Sequence, residues 1–360
     1  MDDSGSLGRE AGPSDAVMRS RLEPWLRTQL SAPDLRVAGL SIPGNGASNI
    51  TGLIEVEGHP GVERLVLRTV APGAGQLYET YDLSRQYRVV EQLAPTGIRV
   101  PSLVGYEADT SVLGSEFYVM FDTGGRSVPE RPSYHDAGWF VALGDAGQRR
   151  VWMDAIDIIG VIHGLDWEAL GLSFLADPGS ATDHNRAFVQ RHSGHLEWME
   201  RRTGRTFPRL RSVFDWLEDN FPTDSPTSLL WADAKLGNLM IDGSEIVGVL
   251  DWEHATIGPS LYDLANWMVF DRLMSIGADV DRIPGLPDRE ETIGRYEQAT
   301  GRPAADVDYF ELFSAVRLAN VVCGMAPDLV AAGFVPESFI EDNAGTRVLQ
   351  FQLDAMGLDL

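Results

Sequence analysis

Two aspartates, an asparagine and a lysine in one stretch, LLWADAKLGNLMIDGSEIVGVLDWEHA (229–255), carry side chains able to hold a cation beside a reacting hydroxyl. NLMI and IVGVLDW flank the segment DGSE, and the Asp242-Gly243 turn signal between apolar runs reads as a β-hairpin. A hairpin returns the chain to its starting point, so Asn238 at one end and Asp251 at the other can share a ligand. An amide oxygen and a carboxylate are hard donors suited to magnesium, which takes one or two protein ligands and completes its shell with phosphates and water. Asp233, five residues before Asn238 on the incoming loop, can then face the substrate without being a ligand. An Asp, an Asn five residues on, a strand pair and a second Asp is the order in which phosphoryl-transfer enzymes arrange a base and two metal ligands. The carboxylates Asp233 and Asp251 alone would also suit a glycosidase, a reading that gives Asn238 nothing to do.

These side chains need a frame, and the sequence divides into two textures. After a polar start (1–15), AVMRSRLEPWLRTQL reads as a short amphipathic helix that packs on the domain behind it. LRVAGLSI, ITGLIEVEG, VERLVLRTV and SEFYVMFD are β-rich runs separated by Gly, Pro and Asn. With one helix near 78–93 they predict a small antiparallel sheet. From 136 onward helices dominate. In AGQRRVWMDAIDIIGVIHGLDW, residues Val151, Trp152, Ala155, Ile158, Ile159 and Ile162 recur at three- and four-residue steps. Further helices are expected near 184–203, 207–220, 259–276, 288–300, 306–325 and 336–356, with the hairpin as the clear β-signal of this half. The expected organisation is a tail and leading helix (1–34), a β-rich lobe (35–122), a linker (123–132) and a helical lobe (133–360).

The chain of 360 residues carries 53 acidic against 29 basic side chains, a formal charge of −24. Affinity for nucleic acid or an anionic membrane rests on phosphate neutralisation by Lys and Arg, so this balance disfavours both. It suits a cationic substrate, and an anionic one would need locally clustered arginines, for which Arg186, Arg191, Arg201, Arg202 and Arg205 are candidates. The single cysteine, Cys323, lies in the apolar run FSAVRLANVVCGMA, excludes an intramolecular disulfide and reads as a core residue. The acidic start lacks a signal peptide's pattern and no run of 18 apolar residues occurs. A cytoplasmic protein is expected, and its oligomeric state is not readable.

The motifs W-A-D-A-K-L-G-N and DWEHATIGPSLYDLA resemble the core of the aminoglycoside phosphotransferase-like kinases, H-G-D-x-x-x-x-N followed by a hairpin and D-W-E. The likeness is to the subgroup related to the domain fused to some acyl-CoA dehydrogenases. It extends through GNGASNITG, LVLR, LSRQYRVVEQL, VLGSEFYVMFDTGG, IHGLDW and IPGLPDREETIGRYEQATGR, over roughly 35–325. It implies an α+β, two-lobed protein kinase-like fold, with ATP (GTP not excluded) and Mg2+ as cofactors. The acceptor would be a small molecule with a hydroxyl: an aminoglycoside-like cation, another hydroxylated metabolite or a hydroxyacyl-CoA. By the same resemblance Asp233 is the catalytic base or hydroxyl-orienting residue, Asn238 and Asp251 the magnesium ligands, and Lys235 a contact to the transferred phosphate. Asn45, Gly46, Ser48 and Asn49 fall in the phosphate loop 44–52, and Arg68 replaces the phosphate-holding lysine. Gln86 stands where the family has a glutamate, and Met120 and Phe121 mark the adenine hinge.

The sequence departs from the family at three points. Trp231 replaces the histidine, and Ala232 replaces the glycine, at a cost of about 1 kcal/mol or more if the backbone there is left-handed. Gln86 gives up a full ion pair with Arg68 while still able to accept a hydrogen bond from it. These departures leave a nucleotide-binding module without turnover as an alternative of a different class. His163 and Asp263 read as structural support, and His192 with His195 as a solvated helix face. Glu253 reads equally as a supporting group or an additional ligand.

Overall fold

The computed structural model describes residues 15–42, 49–70, 82–176 and 183–360, in two compact units. The first comprises the chain up to Ala94 together with Val100–Thr123, and the second comprises Pro95–Arg99 and Gly124–Leu360.

In the first unit helix α1 (Asp15–Gln29) precedes strands β1 (Arg36–Ser41), β2 (Asn49–Glu57) and β3 (Arg64–Val70), helix α2 (Leu83–Leu93), and strands β4 (Leu103–Glu107) and β5 (Phe117–Phe121). The strands form one antiparallel sheet in the order β1-β2-β3-β5-β4. Period-two alternation sends Leu65 and Leu67 of β3 inward, and they meet Leu22, Trp25 and Leu26 of α1 in a common core. The Trp25 indole N–H donates to Glu107 at 2.9 Å, so the leading helix packs on the sheet as the sequence predicts. Asp82 caps α2 by accepting the Arg85 N–H at 2.9 Å. Strand β4 escaped the sequence reading because LVGYE is short and its pairing with β5 shifts register between Leu103 and Gly105.

The second unit is helical. It contains α3 (Trp139–Ala142), α4 (Gly144–His163), α5 (His184–Thr203), α6 (Pro208–Asp219), β6 (Thr227–Leu230), β7 (Leu239–Asp242), β8 (Glu245–Val249), β9 (Thr256–Pro259), α7 (Leu261–Met274), α8 (Arg289–Thr300), α9 (Val307–Ala331) and α10 (Ala344–Met356). α9 is the central helix and packs on α5, α6, α7 and α10. Its length and hydropathy alone would let it cross a membrane, but its apolar residues Phe310, Phe313, Val316 and Ala319 are fully buried in this unit. Cys323 is a buried free thiol, as expected.

The expected hairpin is β7–β8, closed by the Asp242–Glu245 pair with Gly243 at φ +59°. Three readings of this half differ from the structure. The 256–259 segment TIGP, to which the sequence reading gives no strand, is strand β9 paired with β6. The buried stripe of α4 uses Ile156 rather than Ile158. The helix expected over 336–356 is interrupted, because the Asn343 side chain accepts the Thr346 N–H and starts α10 afresh in a capping box.

Candidate active site

The second unit assembles the polar residues of the opening motif by backbone pairing. β6 carries the chain into the loop 231–235, a turn of 3-10 helix (Leu236–Asn238) leads into β7, and β8 returns it to Asp251. Leu250 donates its N–H to Asn238 O at 2.9 Å, which sets the two hairpin ends side by side and brings Asp251 next to the Asn238 backbone. Asn238 turns its amide NH2 toward Asp233, donating to the backbone oxygen at 2.9 Å and to Oδ2 at 2.8 Å. That commits the amide nitrogen and points the amide oxygen away from Asp233. Among the described residues no group of three or more His, Cys, Asp or Glu is placed to hold a metal. An amide oxygen and a carboxylate at the two hairpin ends would suit magnesium if phosphates and water supplied the rest of its shell.

The loop is strained and braced. Four non-glycine residues among those described have positive φ, and two are here: Ala232 at +64° and Asp251 at +62°. Ala232 therefore sits where the family carries glycine and pays the left-handed penalty of roughly 1–2 kcal/mol. Asp263, fully buried on the first turn of α7, holds it there by accepting the N–H of Trp231 and of Ala232, both at 2.8 Å. The His163 Nε2 lies 3.1 Å from Asp263 Oδ2, and its Nδ1 lies 2.9 Å from the Tyr296 hydroxyl. With Nε2 facing a carboxylate, the proton belongs on Nε2 and Nδ1 accepts from the tyrosine. Asn266 adds a second tie, donating to Ala234 O at 3.1 Å while accepting from Ser314 at 2.9 Å. His163 and Asp263 are thus the supports the sequence suggested.

Lys235 lies 3.1 Å from Glu130 Oε1 and 3.4 Å from Asp233 Oδ2, with its ammonium 4.8 Å from the centre of the Phe270 ring. Burial alone would lower its pKa, but Asp233, Glu130 and Asp251 outweigh that and hold it above the ordinary lysine range. Asp233 is the mirror case: burial would raise its carboxyl pKa, yet Lys235, His254, Arg317 and the Asn238 hydrogen bond bring it below the usual carboxylate value. Glu130 was not foreseen. Its segment joins the hairpin through the Arg126–Ile241 bridge, and a Cβ on Gly237 would lie 2.6 Å from its Oε1. Gly237, two residues past Lys235, was the one available signal. Glu253 lies 3.3 Å from His254 Nε2.

In the first unit Arg68, on β3, donates to the Thr51 hydroxyl at 3.0 Å. Gln86 is buried on α2. Met120 and Phe121 end β5, and the Phe121 N–H donates to Ser102 O at 2.8 Å, which spends that donor within the sheet. Asn49 opens β2, whereas Asn45, Gly46 and Ser48 lie outside the described residues.

His192 and His195 depart from the sequence reading. Rather than a solvated face they form part of the seam between α5 and α9. His192 bonds Phe188 O at 2.9 Å and contacts the Phe313 ring, and His195 Nδ1 lies 3.1 Å from the Asn320 amide. Burial, together with nearby Arg317, holds the His192 pKa well below the ordinary histidine value.

Comparison with known proteins points the same way. "Probable acyl-CoA dehydrogenase IBR3" of Arabidopsis thaliana is 28% identical over 306 residues, covering 78% of this chain and 35% of that protein. The chain thus spans little more than a third of that relative's length. A Ralstonia eutropha JMP134 structure provisionally named an aminoglycoside phosphotransferase superposes with TM-score 0.68 at 26% identity, covering 92% of this chain and 95% of that one. The GDP complex of aminoglycoside 2'-phosphotransferase-IIIa shares the fold at 14% identity and TM-score 0.57, over 94% and 99% of the two chains. The fold is accordingly the protein kinase-like α+β fold. Residues 40–303, most of the chain, match the phosphotransferase enzyme family, and the chain belongs to it.

Proposed function

We propose that the protein transfers the γ-phosphoryl group of a purine nucleoside triphosphate, ATP with magnesium, to a hydroxyl of a small molecule. The observation that carries this reading is the Asn238 amide bonded to Asp233 at 2.8 Å while the hairpin brings Asp251 alongside. One amide thereby fixes the acceptor-facing carboxylate and offers its oxygen to a cation. The first unit is the nucleotide-binding lobe, with Arg68 as phosphate contact, Asn45, Gly46, Ser48 and Asn49 as further phosphate-loop residues, and the end of β5 as hinge. The second is the catalytic and acceptor-binding lobe.

Asn238 and Asp251 would hold the magnesium, which neutralises the charge on the transferring phosphate. Asp233 orients the acceptor hydroxyl. As the acceptor oxygen bonds to phosphorus and the bond to the β-phosphate oxygen breaks, the hydroxyl proton passes to Asp233 and the nucleoside diphosphate leaves. A carboxylate held below its usual pKa is a weak base, which suits a loose transition state in which the proton moves late. Lys235 offers its ammonium to the phosphoryl oxygens.

Related proteins bearing aminoglycoside phosphotransferase names support a hydroxylated amine as acceptor, and those named acyl-CoA dehydrogenases support a hydroxyacyl-CoA. Nucleotide consumption across amino sugars, hydroxy acids, hydroxyacyl-CoAs and other hydroxylated metabolites decides between them. Asp233→Asn and Asp251→Ala are each expected to abolish transfer with the fold retained, and full turnover by Asp233→Asn would sink the assignment. Nucleotide binding without turnover on the whole panel would make the chain a binding module.

A further inference from the structure

Lys235 is the only lysine of the chain, and its ammonium lies between two carboxylates, 3.1 Å from Glu130 Oε1 and 3.4 Å from Asp233 Oδ2. The nearer of the two has no part in the phosphotransferase reading so far. Asp233 Oδ2 also accepts the Asn238 NH2 at 2.8 Å, so among the described residues both side-chain contacts of Asp233 fall on one oxygen. Oδ1 is left for an acceptor hydroxyl. Glu130 commits its carboxylate to Lys235 and, among the described residues, forms no other ion pair or hydrogen bond. Ion pairs between fully exposed side chains order little, but this ammonium is only 17% exposed at the end of a flexible four-carbon stem. Whatever fixes it fixes the charge beside Asp233.

The place of Glu130 is imposed from both sides. Four residues before it, Arg126 exchanges backbone hydrogen bonds with Ile241 of β7, N–H to O at 3.0 Å in each direction. Four residues after it, the Tyr134 hydroxyl donates to Asp271 Oδ1 at 3.0 Å, and the neighbouring Ser133 hydroxyl donates to Met274 O. The segment therefore runs from the hairpin to α7 with both ends tied, and Glu130 stands at its middle. Gly237 is an independent sign. It lies in the turn of 3-10 helix that ends at Asn238 and does not have a positive φ, so its backbone does not call for glycine. A side chain there would instead meet Glu130, whose Oε1 lies 2.6 Å from the Cβ position, and would push the carboxylate away from Lys235. The loop leaves room for a carboxylate that arrives from another segment.

We propose that Glu130 is a positioning residue for phosphoryl transfer: it anchors the Lys235 ammonium beside Asp233, so that two N–H groups face carboxylates and the third is left for the transferring phosphoryl group. The proposal rests on the phosphotransferase reading of Lys235 and deepens it. An ammonium held by Asp233 alone would close on that carboxylate and compete with the acceptor hydroxyl for it. Shared with Glu130, it stays at a fixed point, and the charge that meets the phosphoryl oxygens is in place before the reaction begins. Glu130 brings a negative charge near that point and gives a nucleotide no added attraction, so its contribution falls on the transfer step rather than on binding.

The test compares full-length wild-type protein with Glu130→Gln, Glu130→Ala and the double variant Glu130→Ala with Gly237→Asp. The double variant moves the carboxylate onto the loop itself. An aspartate oxygen lies about 2.4 Å from its own Cβ, close to the 2.6 Å between the Gly237 Cβ position and Glu130 Oε1. Three quantities are read: kcat and KM on the acceptor found by nucleotide consumption, Mg-ATP affinity by calorimetry, and the NMR signal of the lysine ammonium, a single resonance because the chain has one lysine. Both single variants should lower kcat about ten- to a hundredfold with Mg-ATP affinity equal or tighter, and should broaden the ammonium signal by faster exchange with water. The double variant should recover most of kcat and sharpen the signal, a rescue that a merely structural role for Glu130 does not predict. An unchanged kcat, or an ammonium signal that Glu130→Gln leaves unaltered, overturns the proposal. So does a fall in kcat that comes with weaker Mg-ATP binding and that the relocated carboxylate does not repair. An effect confined to KM for cationic acceptors also overturns it, by making Glu130 a contact to the acceptor. A wild-type protein that transfers to nothing, yet whose ammonium signal depends on Glu130 and returns in the double variant, would instead sink the phosphotransferase reading and leave the anchor standing.

Discussion

Replacing Asp263 by asparagine changes one heavy atom and should cost the second unit several kcal/mol. The carboxylate is fully buried and accepts three donors: the N–H groups of Trp231 and Ala232, each at 2.8 Å, and His163 Nε2 at 3.1 Å. Asparagine keeps the volume, so no cavity term enters, but one oxygen becomes an NH2 that faces a donor. A hydrogen bond to a charged group contributes about 1.5–3 kcal/mol and an orphaned buried donor costs about 1–3 kcal/mol. Part of the loss returns as Ala232 relaxes from φ +64°, worth about 1 kcal/mol. The net expectation is about 2–4 kcal/mol, or a fall in Tm of roughly 4–16 °C for a unit of this size. Thermal and urea unfolding of Asp263→Asn beside Asp233→Asn would measure it. Because the brace sets the path of the 231–235 loop, kcat should fall with stability. An Asp263→Asn protein within about 1 kcal/mol of wild type and with unchanged kcat would show that the three contacts do not hold the loop.

Other consequences can be measured in the same preparations. Lys235→Met leaves Glu130 and Asp233 facing each other without their shared cation, so the Asp233 pKa should rise, the acid limb of the rate profile should move up in pH, and kcat should fall at least about tenfold. An unchanged profile would remove Lys235 from the site. Gly125→Ala places a Cβ 2.8 Å from Ile241 O at φ +72°, and should destabilise by about 2 kcal/mol or more in urea unfolding; a change under about 0.5 kcal/mol would refute the close approach. Asp271, for which burial alone would raise the pKa, is held low by His135 and Arg282. A lowered folded pKa contributes stability that is complete above the unfolded value near about pH 4 and is lost as pH falls through the folded one. Asp271→Asn should therefore lower stability at neutral pH and flatten the acid limb of the stability profile, and an unaltered limb would contradict the pairing.

What the sequence made legible came from periodicity and order. The helical stretches of the second unit and the alternating strands of the first announce themselves because their apolar residues repeat at the element's own period. The hairpin was readable because Asp242-Gly243 separates two apolar runs. β4 and β9 were not, since strands of five and four residues containing glycine or proline carry too little alternation to distinguish them from loops. Glu130 and the seam histidines were hidden for another reason: each acquires its role from a partner more than a hundred residues away, Lys235 for Glu130 and Asn320 for His195.

The two departures from the family loop can be read through the contacts they make. Trp231 donates its indole N–H to Leu250 O at 2.8 Å and packs against Trp252, so the ring ties the incoming loop to the residue just before Asp251. An imidazole in its place would have less surface to bury there. Ala232 takes the left-handed backbone that glycine would adopt freely, and the Asp263 carboxylate supplies the hydrogen bonds that keep it there. Both side chains are almost completely buried, which confines their effect to the path of the loop and keeps them out of contact with an acceptor. The substitutions therefore act on how firmly Asp233 is presented, and the double variant Ala232→Gly with Asp263→Asn should lose more stability than the sum of the single changes, by about the 1 kcal/mol of strain that either change alone releases and that the pair can release only once. Strict additivity in that cycle would mean that the brace and the strained residue do not act on one another.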